Sequence, residues 1–213
     1  MSPGCWVSVV CYGRARATDQ VNRFQHLRSA GADGRLSGRT YSEDHEMTAQ
    51  RIRLLSPQGL GQVALAVLPV VAASVLGQIA TFPNLAPWYA GLVKPAFNPP
   101  NWIFGPVWTT LYVLMAYAAW RILRLPEATP GRSTALTLFF LQLVLNAAWS
   151  WMFFYLHSPL LGVLNIGPQW LVILATIGAF WRLDRLAGAC LVPLAAWVGF
   201  ASVLNFTLWQ LNG

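Results

Sequence analysis

The sequence predicts an all-α integral membrane protein, a bundle of five transmembrane helices. Three observations lead there. The composition is 56% hydrophobic and only 10% charged, whereas soluble domains carry about 25% charged residues. Five runs meet the length of about 20 mostly apolar residues that a spanning helix needs. After residue 59 the arginines fall in alternate connections, so one side of the bundle collects them. Residues 1–59 hold eight of the fourteen Arg/Lys and five of the seven Asp/Glu. The net charge of +7 therefore reflects a basic leader and the basic loops of one membrane side. No compact basic patch with interleaved aromatics appears, which argues against nucleic acid as a partner.

Taken in order, residues 1–46 are rich in Arg, Gly and Ser, have no sustained apolar period and are expected to be disordered. They contain no apolar h-region before a cleavage site and do not read as a secretory signal. Met47 begins a self-sufficient membrane domain, 47–213, and is the expected true start. The first helix is expected near 61–82 and the second near 102–123, opening at Trp102. The third is expected near 133–156, with Ser133 as N-cap after Pro130-Gly131. The fourth is expected near 160–181 and the fifth near 186–210. Arg51 and Arg53 precede the first helix; Arg121, Arg124 and Arg132 flank the second connection; Arg182 and Arg185 flank the fourth. The opposite side has only Lys94, the sole lysine. Basic loops stay cytoplasmic, so the N-terminus is expected inside and the C-terminus outside, in a cell envelope of bacterial type.

The segment from Trp88 to Tyr112 is the densest in information. It joins the first two helices and carries Pro95, Pro99, Pro100 and Pro106 among large aromatic rings. Prolines fix φ and withdraw backbone donors, so this is a stiff lid. Three helices supply matching stripes. The second carries Trp108, Tyr112, Met115 and Ala119, and the third Gln142, Asn146, Trp149 and Phe153. The fifth carries Trp197, Ala201, Asn205 and Trp209. These spacings put each set on one helical face. Together they suit a mostly apolar pocket with a few orienting polar groups, filled by a flat conjugated ligand.

Each residue also has a plainer role open to it. Gln142, Asn146 and Asn205 serve equally as interhelical glue. Trp102, Trp120, Trp151, Trp170, Trp181 and Trp209 fit interfacial anchors. Lys94 either meets a ligand carboxylate or fixes the loop through a carbonyl. Gln169 is placed to satisfy backbone groups freed by Pro168. Leu114 to Arg121 matches a loose sterol-contact pattern, and Ala72, Ala73 and Gly77 would allow close helix approach in a scaffold. Cys5, Cys11, Cys190, His26, His45 and His157 show no metal-ligand spacing, so no metal site is expected. No span contains a carboxylate, which removes the usual parts of a proton relay.

The run Trp88-Tyr89-x-x-Leu92-x-Lys94-Pro95-x-x-x-Pro99-Pro100-x-Trp102-x-x-Gly105-Pro106-x-Trp108 resembles the TspO/MBR family, the tryptophan-rich sensory or translocator proteins, also called peripheral-type benzodiazepine receptors. Gln142 to Trp149 with Phe153-Phe154, and Pro193 to Asn212, look like that family's third and fifth helices. The resemblance covers about residues 60–212. It implies a five-helix bundle, usually a homodimer, that requires no cofactor. As ligands it implies tetrapyrroles such as protoporphyrin IX and haem, with sterols and isoquinoline or benzodiazepine drugs also bound in the family. By matching positions, the implied ligand-binding residues are Tyr89, Trp108, Asn146, Trp149, Trp197 and Ala201. The implied activity is that of a receptor or transporter-like binder in tetrapyrrole-linked sensing. The alternative is light- and oxygen-dependent porphyrin breakdown, with Trp108 and Trp197 as redox partners. Phe97 stands where many members have tryptophan, and ligand preference is expected to differ there. The resemblance does not extend to the C-terminal sterol motif of animal members.

Overall fold

The computed structural model describes residues 56–213; the basic leader and the Met47 start lie outside them. Five helices long and apolar enough to cross a membrane follow one another. They are α1 (Pro57–Leu85), α2 (Asn101–Leu123), α3 (Arg132–Ser150), α4 (Pro159–Leu183) and α5 (Arg185–Asn212). A 3₁₀ turn, Tyr89–Gly91, lies in the α1–α2 connection, and a π-helical turn, Trp151–Tyr155, prolongs α3.

The helix ends follow from local chemistry. Ser158 accepts the Leu161 N–H and Pro159 opens α4, a position where its missing N–H costs nothing. Asp184 accepts the Ala187 N–H at 3.0 Å and opens α5. The α3 start differs from expectation. Gly131, at φ 83°, is the residue before the helix and supplies no side-chain cap, while Ser133 already lies inside the first turn. The Pro130-Gly131 turn needs the left-handed conformation that glycine adopts freely, and this sets the boundary two residues before Ser133.

α5 packs along α4 and α2, and α4 along α3. α1 stands further off and meets the bundle through a seam of small residues: Ala66, Val70, Ala73, Gly77 and Ala80. The scaffold role sketched for Ala73 and Gly77 is thus taken up within this chain, whereas Ala72 is exposed.

One end of the bundle is solid. Ala118, Ala119, Ile122, Phe139, Phe180 and Ala187 have no exposed surface, and Phe139 stacks on Phe180 at 5.8 Å. The arginines gather at this end. Arg121 holds Asp184 at 2.7 Å. Burial works to raise the Asp184 pKa, but the Arg121 hydrogen bond, the Ala187 N–H and the nearby charge outweigh it and hold the carboxyl below its usual value. Arg132 donates to the carbonyls of Ile122 and Leu123, among the last carbonyls of α2, which have no i+4 partner within the helix. In the sterol-contact pattern, Arg121 is committed to Asp184 and to the Tyr117 hydroxyl.

Candidate ligand cavity

The other end of the bundle is hollow. A cavity of about 460 Å³ opens beneath the α1–α2 connection and is bounded by all five helices. The six residues expected from sequence, Tyr89, Trp108, Asn146, Trp149, Trp197 and Ala201, all line it. The helix stripes reach it and then pass below it. Tyr112 lines the cavity, whereas Met115 and Ala119 are buried in the solid half. Asn146, Trp149 and Phe153 line it, but Gln142 does not; its Nε2 donates to Met115 Sδ at 3.5 Å. Trp209 also stays outside and packs on Phe206.

Hydrogen bonds between helices stiffen the walls. Tyr112 OH donates to Asn146 Oδ1 at 3.0 Å. Trp149 Nε1 donates to Asn205 Oδ1 at 3.0 Å, and Asn205 Nδ2 donates to Pro159 O at 2.9 Å. Asn205 therefore acts as glue among α3, α4 and α5. Gly162 makes room for it: a Cβ there would lie 2.6 Å from Asn205 Oδ1 and 3.0 Å from the Phe153 ring.

The π-helical turn explains how the lid is seated. Phe153 and Phe154 are neighbours in sequence, yet both are buried. The wider turn brings both rings inward, an irregularity often found at functional sites. Trp88 meets them edge-on at 5.3 and 6.3 Å, and Tyr89 packs on them at 6.3 and 5.6 Å. Trp149 stacks on Phe153 at 5.0 Å, which joins the lid's seat to the cavity wall. Burial pushes the Tyr89 phenol pKa up, opposed by its hydrogen bond to Asn98.

The lid is fastened at three further points. Asn212 accepts from the Val93 N–H at 2.8 Å and donates to the Val93 carbonyl at 2.9 Å. Lys94 donates to the Ala90 and Leu92 carbonyls and lies over the Tyr89 ring, so it is the loop-fixing alternative that is realised. His157 stacks on Trp88 at 4.9 Å and bonds Asn84 at 2.8 Å. Phe97 lies outside the cavity. It is exposed and meets Phe200 edge-on.

The decisive comparison is with known families. The chain matches the TspO/MBR family over residues 65–210. It belongs to that family. Among its relatives is "Tryptophan-rich protein TspO" of Chlorobaculum tepidum, 44% identical over 131 residues, which are 61% of this chain and 83% of the relative. "Protein CrtK" of Rhodobacter capsulatus is 37% identical over 67% of this chain and 89% of its own length. The human "Translocator protein" is 36% identical over 59% of this chain and 75% of its own length.

For a TspO/MBR protein this chain's cavity has polar features that the sequence reading passed over. Ser74, Gln78 and Thr81 of α1 line it; their i, i+4, i+7 spacing in an apolar run was the available signal. Trp102, expected as an anchor, is largely exposed yet borders the cavity. Trp170 donates to the Ala195 carbonyl at 2.9 Å and so ties α4 to α5. Gln169, expected to repair the backbone at Pro168, makes no such bond among the described residues. It is 2% exposed and faces the cavity. Only the α1–α2 side is loosely walled, since Gln78, Phe82, Trp102, Gly105 and Thr109 are exposed.

Proposed function

We propose that this membrane protein binds porphyrins, protoporphyrin IX or haem, and related flat apolar ligands in this cavity, as a receptor or transporter-like component of tetrapyrrole-linked sensing. The observation that carries the reading is the cavity itself: three indoles, Trp108, Trp149 and Trp197, wall one space beneath a stiff lid, and no charged side chain lines it. Its volume falls in the range of small-molecule sites, about 300–1,000 Å³. Aromatic walls favour a conjugated disc by stacking and edge contacts. The loose α1–α2 side leaves room for the edge of a disc broader than the enclosed space. The position of Arg121, Arg124, Arg132, Arg182 and Arg185 at the solid end supports an orientation with that end in the cytoplasm and the lid outside.

Protoporphyrin IX is expected to quench tryptophan fluorescence saturably, and Trp197→Leu is expected to weaken binding at least several-fold at unchanged helicity. Unchanged affinity in the folded variant removes Trp197 from the site. A second reading, light- and oxygen-dependent porphyrin breakdown, draws on the presence of Trp108 and Trp197 in one cavity. The same titration under illumination separates the two. A discrete product that disappears in both Trp108→Leu and Trp197→Leu favours breakdown; bleaching no faster than free porphyrin in detergent favours binding alone.

A further inference from the structure

α4 reaches the cavity with two side chains, Ile166 and Gln169. Ile166 is an ordinary apolar wall. Gln169 is not: it is 2% exposed, and no hydrogen bond to its amide occurs among the described residues. Buried amides are nearly always paired, and an amide holds two donors and an acceptor. Pro168 precedes it, so the chain here lacks one backbone N–H, yet Gln169 does not turn back to the helix. Its free groups face the cavity.

A second amide faces the same space. Asn146 is 5% exposed and lines the cavity. Its Oδ1 is taken by the Tyr112 hydroxyl, which leaves its Nδ2 to donate. Asn205, the third buried amide in the lining, is spent on both sides, on Trp149 and on Pro159 O; Gln78 and Asn101 also line the cavity but are exposed. The floor therefore offers a donor from Asn146 and both a donor and an acceptor from Gln169, with no charge among the lining residues.

We infer that Gln169 and Asn146 form a polar subsite that reads an uncharged donor–acceptor group on the buried edge of the ligand, a primary amide or a carboxyl in its protonated form. This rests on the cavity being a ligand site, as in the reading above, and names the chemistry it selects. An ionised carboxylate would enter with no cation to meet it, and burying an unpaired charge is far costlier than burying a neutral polar group. A bare hydrocarbon would leave both amides unmatched. A site built to hydrogen-bond a group rejects the analogue that lacks it.

The test compares 2-naphthamide with 2-ethylnaphthalene on the full-length protein in nanodiscs, read by tryptophan quenching and calorimetry. The native protein is expected to prefer the amide. Gln169→Leu is expected to lose about tenfold in amide affinity, the scale of one buried hydrogen bond, and to hold the hydrocarbon equally or better. Gln169→Met, close in shape, keeps the test valid if the leucine variant folds poorly. Equal loss for both probes, no loss for either, or failure of both to bind the native protein overturns the subsite. If the naphthyl probes behave as expected but protoporphyrin IX does not bind, the porphyrin reading falls and the subsite stands.

Discussion

The two halves of this bundle are made from the same five helices and solve opposite problems. At the arginine-rich end, small residues and two stacked phenylalanines fill the space completely, and Arg121–Asp184 ties α2 to the α4–α5 corner. At the lid end, large rings keep the helices apart. There the bundle is held by hydrogen bonds around a space it does not fill, from Tyr112 to Asn146 and from Trp149 through Asn205 to Pro159. Close packing is concentrated in the first half and open space in the second. The difference teaches that aromatic residues in one chain pack a core where they meet face to face, as Phe139 and Phe180 do, and frame a cavity where interhelical hydrogen bonds fix their edges.

The sharpest way to break this contrast is Phe180→Ala. A fully buried ring removed from a close-packed core costs about 3–5 kcal/mol, so a large fall in Tm is expected in a thermal melt. Ligand affinity of the fraction still folded should hardly change. If affinity falls with little loss of Tm, the halves are not separable.

A smaller effect is expected from Asp184→Asn. The folded carboxyl titrates below its usual value, so the stability it contributes is present above the unfolded pKa of about 3.9 and is lost as pH falls through the lower folded pKa. The pair is partly exposed, so the change should be about 1 kcal/mol or less at neutral pH. The variant's Tm should lose this component of acid sensitivity below about pH 4. A full native acid response in the variant would show that Asp184 contributes nothing to it.

An effect on stability no larger than this is expected from Asn212→Ala, about 1 kcal/mol or less, because its two bonds to Val93 are exposed. Its signature is local: faster amide exchange at Val93 and faster ligand release, with exchange in the solid half unchanged. Uniformly faster exchange would mean that the lid is not an independent layer.

Much of this was legible in the chain because the bilayer imposes a strict rule. Backbone groups must be satisfied within each span, so five apolar runs gave five helices, and residues at i, i+4, i+7 shared faces that converge. Spacing placed Trp108, Asn146, Trp149, Trp197 and Ala201 on shared faces, and the family resemblance singled them out from Met115, Ala119, Gln142 and Trp209 on the same stripes, which do not line the cavity. Phe97, Trp102 and Gln169 could not be placed in this way. Their roles depend on which neighbour stands beside them, and no local periodicity encodes a neighbour far away in sequence. The same holds for Asn212, whose partner Val93 lies 119 residues earlier.

By itself, the sequence determined the membrane class, the number of spans, the family resemblance and the faces that carry aromatic rings, because these follow from local composition and helical spacing. Only the tertiary structure decided which end is hollow, that a π-helical turn seats the lid, and which amides are spent on holding helices together. It also decided that Gln169 is left facing the cavity. Whether a polar group is satisfied depends on distances across the bundle, and those exist only once the helices have packed.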